Sequence, residues 1–103
     1  MIEYQEGYHT YYVYILTNKA KTVLYTGVTN NLKIRLQQHI EGINPNSFTA
    51  KYKAHYLLYY EKFTWIQKGI AREKEIKGWV RVKKIELIKT INPEMNFLNH
   101  LFE

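Results

Sequence analysis

Three short runs of aromatic and β-branched residues, each bounded by turn formers, constrain the fold of this chain most strongly. They are residues 11–17 (YYVYILT), 23–29 (VLYTGVT) and 55–63 (HYLLYYEKF). Such runs favour β-strands, because branched and aromatic side chains pack well on a pleated surface. The polar break at residues 18–21 separates the first two runs and predicts a hairpin between them.

The segment after the second run predicts a helix followed by a loop. Asn30 or Asn31 is expected to cap this helix. Its apolar stripe comprises three residues, Leu32, Leu36 and Ile40. Residues 41–53 contain Asn-Pro-Asn and other turn formers, and they therefore predict a loop.

Two more helices are predicted after the third strand. The sequence Thr64-x-x-Gln67 has the pattern of a capping box that begins a helix running to about Gly78. Residues 80–90 predict another helix, which ends before an Asn-Pro pair. The order ββαβαα predicts an α+β fold, with a small three-stranded, mainly antiparallel sheet flanked by helices.

Length and residue usage limit the possible function classes. The 103 residues suit one domain, expected at 11–103 after an N-terminal extension at 1–10. Cysteine is absent, which excludes disulfides, thiolate nucleophiles and zinc–thiolate sites. All nine acidic residues are Glu, so there are few carboxylates for a two-metal phosphodiesterase site. A metal site, if there is one, is expected to use few protein ligands.

The net charge of the chain and the length of its apolar runs indicate which binding partners and which cellular compartment to expect. The net charge of +6 favours polyanions such as nucleic acid, because neutralised phosphates release their counterions. No apolar run approaches the roughly 20 residues of a membrane span, so a membrane partner is not expected. The first residues do not resemble a signal peptide. Together with the lack of cysteine, this predicts a cytoplasmic protein.

Two of the predicted helices carry titratable residues within or beside their apolar stripes. At roughly 100° per residue, His39 lies about 20° from Leu32, and Arg35 borders the same stripe. Glu73 lies about 20° from Ile66 in the next helix. The stripe of that helix comprises Ile66, Ile70 and Ile76. Burial of an unpaired carboxylate costs several kcal/mol, so Glu73 is expected to have a metal ion, Arg35 or a lysine as its partner.

Periodicity alone leaves a structural and a functional interpretation open. An inward Glu is often part of a structural ion pair, and an inward His is more often a satisfied core residue. A basic run surrounds Glu73 and comprises Arg72, Lys74, Lys77, Arg81, Lys83 and Lys84. Such runs are as often solvated faces as binding surfaces. This one is predicted to contact backbone phosphates because it borders the unusual glutamate.

An ordered set of motifs resembles the GIY-YIG nuclease superfamily, and in particular its small stand-alone bacterial members. The first motif is Tyr12-Val13-Tyr14 and the second is Tyr25-Thr26-Gly27. Arg35 follows Tyr25 by ten residues, and His39 follows one helical turn later. Glu73 lies in residues 71–79 (AREKEIKGW), which resemble the metal-site helix of the stand-alone members. The resemblance spans about residues 11–96.

The resemblance implies the fold predicted above and a catalytic site of Tyr14, Tyr25, Arg35, His39 and Glu73. Glu73 is implied as the protein ligand of Mg²⁺ (or Mn²⁺), ions that prefer oxygen ligands and keep several waters. Arg35 is implied to clamp the scissile phosphate and to stabilise its developing charge. Tyr25 is implied to activate the attacking water, while Tyr14 positions it and His39 assists proton transfer.

The function implied by the resemblance is metal-dependent hydrolysis of phosphodiester bonds, with DNA expected over RNA. Low sequence specificity and a role in DNA repair are expected, with a possible protein partner for targeting; the oligomeric state is left open. The gap at a strand glycine is expected to admit a phosphate. The residues expected to contact nucleic acid are Gly27, Lys51, Arg72, Lys77, Arg81 and Lys84.

Several positions depart from the pattern of the superfamily. Tyr12 replaces the first glycine of its name, and Thr26 replaces the middle isoleucine. Val28 stands where the nuclease subunit of bacterial excision repair has a lysine, so one phosphate-binding cation is missing. The final asparagine of the superfamily corresponds to Asn96 or to Asn92, and the sequence does not decide between them.

Two non-enzymatic alternatives stand beside the nuclease interpretation. One is a nucleic-acid-binding module that keeps a nuclease fold for its basic face. The other is a protein-interaction domain in which Glu73 and Arg35 form a purely structural pair. The presence of Tyr25, Arg35 and Glu73 together favours an enzyme, because neither alternative requires all three.

Overall fold

A computed structural model describes residues 10–42 and 44–103. The elements in these ranges are β1 (Tyr11–Thr17), β2 (Leu24–Thr29), α1 (Leu32–Glu41), α2 (Phe48–Tyr52), β3 (Tyr56–Phe63), α3 (Ile66–Lys77), α4 (Arg81–Lys89) and a 3₁₀ helix (Asn99–Phe102). The strands form one antiparallel sheet in the order β2-β1-β3, which confirms the predicted α+β fold. The predicted extension at residues 1–10 lies outside the described residues except for its last position. None of the helices described is long and apolar enough to cross a membrane.

The central strand β1 is apolar on both faces, and this divides the core into two layers. Val13 and Ile15 project to one face of the sheet, where α3 and α4 cover them. Tyr14 and Leu16 project to the other face, where α1 covers them. All four side chains are fully buried. Helices therefore pack on both faces of the sheet, and β1 has a partner strand on either side.

Tyr14 and Gly27 form a cross-strand pair in which the phenol occupies the space that a side chain would need. An ideal Cβ at position 27 would lie 2.5 Å from Tyr14 Oη and 2.6 Å from its Cζ. The expectation that the gap at Gly27 admits a phosphate is therefore wrong, because Tyr14 fills it. Gly27 is required for the close approach of an aromatic ring from the same sheet.

Helix α3 approaches the sheet through a glycine, and this sets which of its residues point inward. An ideal Cβ at Gly69 would lie 3.5 Å from Val28 Cγ2 and 3.7 Å from Tyr11 Cβ. The buried stripe is therefore centred on Gly69 and Ile76, and Ile70, which was expected in it, is 39% exposed. Glu73 lies about 40° from Gly69 and thus at the edge of the stripe.

Helix α1 follows the predicted stripe except at its last position. Asn31 caps it, and Asn31 Oδ1 accepts a hydrogen bond of 3.1 Å from the backbone N–H of Ile34. Leu32 and Leu36 are buried as expected, but Ile40 is 56% exposed. His39 takes the inward position in the last turn, because its ring nitrogens have partners on β1 and α2.

Three local predictions differ from the structure. The Thr64 capping box is wrong, because α3 begins at Ile66 after Trp65 and no side chain caps it. The predicted loop at 41–53 contains the short helix α2, whose N-cap Ser47 accepts a hydrogen bond of 3.2 Å from the N–H of Ala50. The 3₁₀ helix near the C-terminus was not predicted, since four residues are too few to show a helical period.

Two asparagines attach the C-terminal segment to β3. Asn92 is buried, and its Nδ2 donates to the carbonyl oxygens of Leu58 and Asn96, each at 2.9 Å. Asn99 Oδ1 accepts from the N–H of Leu57 at 2.8 Å, while its Nδ2 donates to the carbonyl of His55 at 3.0 Å. Asn92 therefore stabilises the turn after α4, and Asn99 pairs with the backbone of an edge strand.

The Tyr14–Gly27 pair generates a stability prediction. Gly27→Ala is expected to destabilise the protein by about 1–3 kcal/mol, because the new methyl group overlaps a fully buried phenol. Gly78→Ala is the matched control, since its Cβ would meet only carbonyl oxygens at 3.5 and 3.7 Å. Urea unfolding of both variants measures the difference. Equal unfolding midpoints for Gly27→Ala and the wild type would contradict the assigned packing.

Candidate active site

Residues from β1, β2 and α1 form one cluster on the α1 side of the sheet. The ring centroids of Tyr14 and Tyr25 lie 6.3 Å apart. The ring of His39 lies 6.0 Å from that of Tyr14 and 5.8 Å from that of Tyr25. Arg35 lies close enough to Tyr14 and His39 for its charge to affect the pKa of both. Four residues named from the sequence are therefore neighbours in the fold.

This cluster lies at one wall of an open cleft of about 270 Å³. Tyr25, Arg35 and His39 line the cleft from one side, and Phe48 and Thr49 line it from α2. Tyr14 is fully buried and does not line it. Tyr14 is thus placed to act through its neighbours, while Tyr25 and Arg35 are accessible to a ligand.

A chain of hydrogen bonds runs from Tyr14 to the beginning of α2. The Tyr14 hydroxyl lies 3.2 Å from His39 Nε2, and His39 Nδ1 lies 2.9 Å from Thr49 Oγ1. A protonated Tyr14 can donate to His39 Nε2 when that nitrogen carries no proton. A neutral His39 then carries its own proton on Nδ1 and donates it to Thr49. The chain orients both rings and couples α1 to α2.

The ionisation of these two side chains is set mainly by burial. Burial raises the pKa of Tyr14 to about 12, and Tyr25 and Glu73 add to the rise while Arg35 opposes it. Burial also lowers the pKa of His39 from 6.5 to about 4, and the charge of Arg35 lowers it further. At neutral pH Tyr14 is therefore protonated and His39 is neutral, as the assigned hydrogen bonds require.

Glu73 is paired with a lysine of its own helix. Its carboxylate is 2.7 Å from Lys77 Nζ, and its side chain is 13% exposed against 51% for that of Lys77. Lys77 Nζ also lies 6.0 Å from the centre of the Tyr25 ring. The hydrogen bond to Glu73 raises the pKa of Lys77. Of the three expected partners of Glu73, the structure thus has the lysine and not Arg35.

The ligand set at Glu73 suits a metal ion that needs few protein ligands. Among the residues described, no three His, Cys, Asp or Glu side chains lie close enough together to hold a metal. Mg²⁺ and Mn²⁺ are commonly bound by one or two carboxylates, with water and substrate phosphates completing the shell. One shielded carboxylate therefore fits either ion, provided that Lys77 moves aside.

The basic run does not form a single free surface. Arg72 donates hydrogen bonds of 2.9 Å to Glu61 of β3 and to Glu75. Arg81 donates to the carbonyl oxygens of Lys21 and Thr22, so it binds the segment that connects β1 to β2. These two guanidinium groups have structural partners, so their assignment to nucleic-acid binding is not supported by their contacts.

The remaining cations differ in their position relative to the cleft. Lys77 lies at Glu73 and Tyr25, and the exposed Lys51 lies on α2, whose Phe48 and Thr49 line the cleft. Lys84 is partly buried on α4, on the other face of the sheet. Lys51 and Lys77 are therefore the cations of the predicted binding set that best suit a ligand in the cleft.

Sequence reasoning missed the contribution of α2. Thr49 is 3% exposed and holds His39, while Phe48 stacks beside Tyr25 with ring centroids 6.0 Å apart. A serine at position 47, which favours an N-cap, was the signal that could have indicated this helix. Neither Asn92 nor Asn96 lines the cleft, and the side chain of Asn92 has structural partners.

The family model of the GIY-YIG catalytic domain matches residues 10–86, which include every member of the cluster. The chain belongs to the GIY-YIG family. It is 40% identical to a UPF0213 protein of Syntrophus aciditrophicus (strain SB) over 83 residues, which are 81% of this chain and 93% of the relative. It is 38% identical to a UPF0213 protein of Oceanobacillus iheyensis over 79 residues, covering 77% of this chain and 90% of that one.

A solved structure supports the same assignment. The solution NMR structure of a UPF0213 protein from Bacillus halodurans is 27% identical to this chain, with a TM-score of 0.54. The match covers 82% of this chain and 88% of the other. The GIY-YIG family is a nuclease family, so the cluster of Tyr14, Tyr25, Arg35, His39 and Glu73 is the candidate active site of this member.

The state of His39 generates a prediction about pH. The folded protein keeps His39 neutral down to about pH 4, whereas the unfolded chain takes up a proton near pH 6.5. Acidification through this window therefore stabilises the unfolded state, and stability is lost as the pH falls. His39→Gln is expected to flatten the pH dependence of the urea midpoint between pH 6.5 and 4. Equal slopes for wild type and His39→Gln would contradict a neutral His39.

Two glutamates that lie in different ion pairs allow a direct comparison of stability. Glu73→Gln is expected to cost no more than about 0.5 kcal/mol, because its partner Lys77 is half exposed. Glu61→Gln is expected to cost about 1.5–3 kcal/mol, because Glu61 accepts hydrogen bonds from Arg72 and from Tyr59. Urea unfolding without divalent metal measures both. A loss of several kcal/mol in Glu73→Gln would show that its ion pair is mainly structural.

Proposed function

We propose that this protein is a metal-dependent endonuclease that hydrolyses phosphodiester bonds of DNA with low sequence specificity. The observation that carries the proposal is that Tyr25 and Arg35 line one open cleft, while Glu73 is linked to Tyr25 through Lys77. They come from β2, α1 and α3, which are separate parts of the chain. A charge clamp, a hydroxyl for proton transfer and a metal-binding carboxylate are the groups that hydrolysis of a phosphodiester requires.

Arg35 is the residue proposed to bind the scissile phosphate. It lines the cleft, and within the described residues no carboxylate is recorded within salt-bridge distance of it. Its guanidinium can form two parallel hydrogen bonds to phosphate oxygens, which orients the phosphate as well as holding it. The same contacts stabilise the additional negative charge that develops as water attacks.

Tyr25 is proposed to accept a proton from the attacking water, and Tyr14 and His39 position it. Tyr25 lines the cleft, and the centre of its ring lies 6.0 Å from the ammonium group of Lys77. Tyr14 is not available as the base, because burial raises its pKa to about 12 and keeps it protonated at neutral pH. The neutral His39 packs against both tyrosine rings and holds Tyr14 through Nε2, so it acts as a positioning residue.

Glu73 is the proposed protein ligand of Mg²⁺ or Mn²⁺. When bound there, the ion supplies Lewis-acid stabilisation of the departing 3′ oxygen. Lys77 holds the carboxylate in place without metal, and its half-exposed side chain is free to turn towards a phosphate once the carboxylate has another partner. Lys77 contacts both the carboxylate of Glu73 and the ring of Tyr25, and it therefore connects these two residues.

The surface around the cleft supports backbone contacts rather than base recognition. The net charge is +6, and Arg35, Lys51 and Lys77 lie at or near the cleft. Lysine and arginine contacts to phosphates position a duplex but do not distinguish bases. DNA is proposed over RNA because the site resembles that of the excision-repair nuclease subunit. A cytoplasmic role in DNA repair, with a protein partner for targeting, is proposed on the same basis.

The proposal predicts that three residues act as one catalytic unit. Tyr25→Phe, Arg35→Ala and Glu73→Gln are each expected to lower the cleavage rate by a factor of ~10²–10³, since each removes a group that stabilises the transition state. Pairs of these variants are expected to lose less than the product of the separate losses. Single-turnover cleavage of a labelled DNA with Mg²⁺ measures the rates, and filter binding without metal measures substrate affinity.

Matched substitutions separate these roles from general damage to the fold. Tyr60→Phe and Glu75→Gln repeat two of these changes at positions that do not line the cleft, and Lys33→Ala removes another cation of α1 that does not line it; all three are expected to retain activity. Tyr25→Phe is expected to bind DNA as tightly as the wild type. Full activity of Glu73→Gln would contradict the metal assignment. A wild-type protein that binds DNA but never cleaves it would favour the non-catalytic binding module.

A further inference from the structure

Two large aromatic rings are exposed next to the candidate active site. Phe48 is 41% exposed and Tyr52 is 44% exposed, and both lie on the short helix α2. The ring of Phe48 lies 6.0 Å from that of Tyr25 at an angle of 25°, and the ring of Tyr52 lies 4.7 Å from that of Phe48. The three rings form a continuous aromatic row that leads from the proposed catalytic tyrosine out of the cleft.

The row is held in place by polar contacts beneath it rather than by burial of its own rings. Ser47 caps α2, and Thr49 is buried with its hydroxyl 2.9 Å from His39 Nδ1. Lys53 ends the helix in the left-handed region, with φ of 55°. The helix therefore presents Phe48 and Tyr52 outward from a fixed base, although exposure of such rings to water is unfavourable.

The charge next to the row matches a nucleic-acid strand. Lys51 Nζ lies 5.7 Å from the centre of the Tyr52 ring, and Arg35 lies across the same cleft as Phe48. Flat aromatic rings that alternate with cations along a groove bind single strands, because bases stack on the rings while phosphates contact the cations. Paired bases within a duplex are already stacked on each other and do not offer their faces.

We infer that Phe48 and Tyr52 form a stacking site for unpaired nucleobases of the DNA strand that is cut. This inference rests on the proposed function and specifies its substrate as DNA with unpaired bases next to the scissile phosphate. Phe48 stacks beside Tyr25, so the base on Phe48 belongs to a nucleotide adjacent to the phosphate that Arg35 clamps. Stacking is tolerant of sequence, because every base has an aromatic face. The site therefore selects the structure of the strand and not its sequence.

The test measures binding without cleavage, in EDTA. The ligands are fluorescent oligothymidylate, oligouridylate of the same length and a blunt DNA duplex. Phe48→Ala and Tyr52→Ala are each expected to weaken oligothymidylate binding roughly 5- to 100-fold, the range for loss of one stacked base, while duplex binding changes little. Phe48→Leu keeps the apolar packing against Tyr25 but lacks a flat ring, and it is expected to behave like Phe48→Ala.

The matched control is Trp65→Ala, because Trp65 is 49% exposed but lies before α3 and does not line the cleft. It is expected to bind oligothymidylate as the wild type does. A 2-aminopurine base in the oligonucleotide provides a second readout, since stacking quenches its fluorescence. The wild type and Trp65→Ala are expected to quench the 2-aminopurine fluorescence, whereas Phe48→Leu is expected not to quench it. A thermal melt of Phe48→Leu that matches the wild type shows that the variant is folded.

The outcomes separate this inference from the proposed function. Unchanged oligothymidylate affinity and quenching in Phe48→Ala and Tyr52→Ala would overturn the stacking site, even if the protein cleaves DNA. A loss confined to oligouridylate would overturn the assignment to DNA. Conversely, loss of quenching in Phe48→Leu would support the site even if the wild type never cleaved with Mg²⁺, in which case the proposed catalytic activity alone would fail.

Discussion

The candidate site depends on one buried group, the phenol of Tyr14, which lies over Gly27 and bonds to His39. The ring fills the space that Gly27 leaves, so a side chain at position 27 would overlap it. Through His39 the same hydroxyl positions α1, and through Thr49 it positions α2. A buried network of this kind requires every member to be satisfied, and here burial keeps Tyr14 protonated and His39 neutral.

Much of the fold could be predicted because the strands have clear aromatic and β-branched patterns. The bounds of β1 agree with the prediction, and β2 and β3 each begin one residue later than predicted. The orientation of α3 and α1 was harder to predict. In α3 a glycine brings the helix close to the sheet, and in α1 the hydrogen bonds of His39 place His39 inward instead of Ile40. Helical periodicity predicts the buried face from the apolar residues alone, so it does not account for the contact of a glycine with the sheet or for the hydrogen bonds of a histidine. The partners of Arg72 and Arg81 are distant in sequence, so a basic run looked like a free surface.

The sequence named residues that the fold brings together, but it did not indicate which of them line the cleft and which are buried. Tyr25 and Arg35 line the cleft, while Tyr14 lies beneath them and is fully buried. Glu73 belongs to a helix that packs on the opposite face of the sheet, and its partner Lys77 lies near the ring of Tyr25. The proposed chemistry follows from this separation: accessible groups contact the substrate, and buried groups keep them in position and in the required protonation state.

The most direct measurement is incubation of supercoiled plasmid with the purified wild-type protein, with Mg²⁺ and with EDTA, followed by analysis of the strand ends. The proposed roles of Arg35, Tyr25 and Glu73 predict nicks that appear only with the metal and that carry 5′-phosphate and 3′-hydroxyl ends. Equal nicking in EDTA would contradict the role of Glu73 as a metal ligand. Intact plasmid at every metal concentration, together with intact single-stranded DNA, would contradict the proposed nuclease activity.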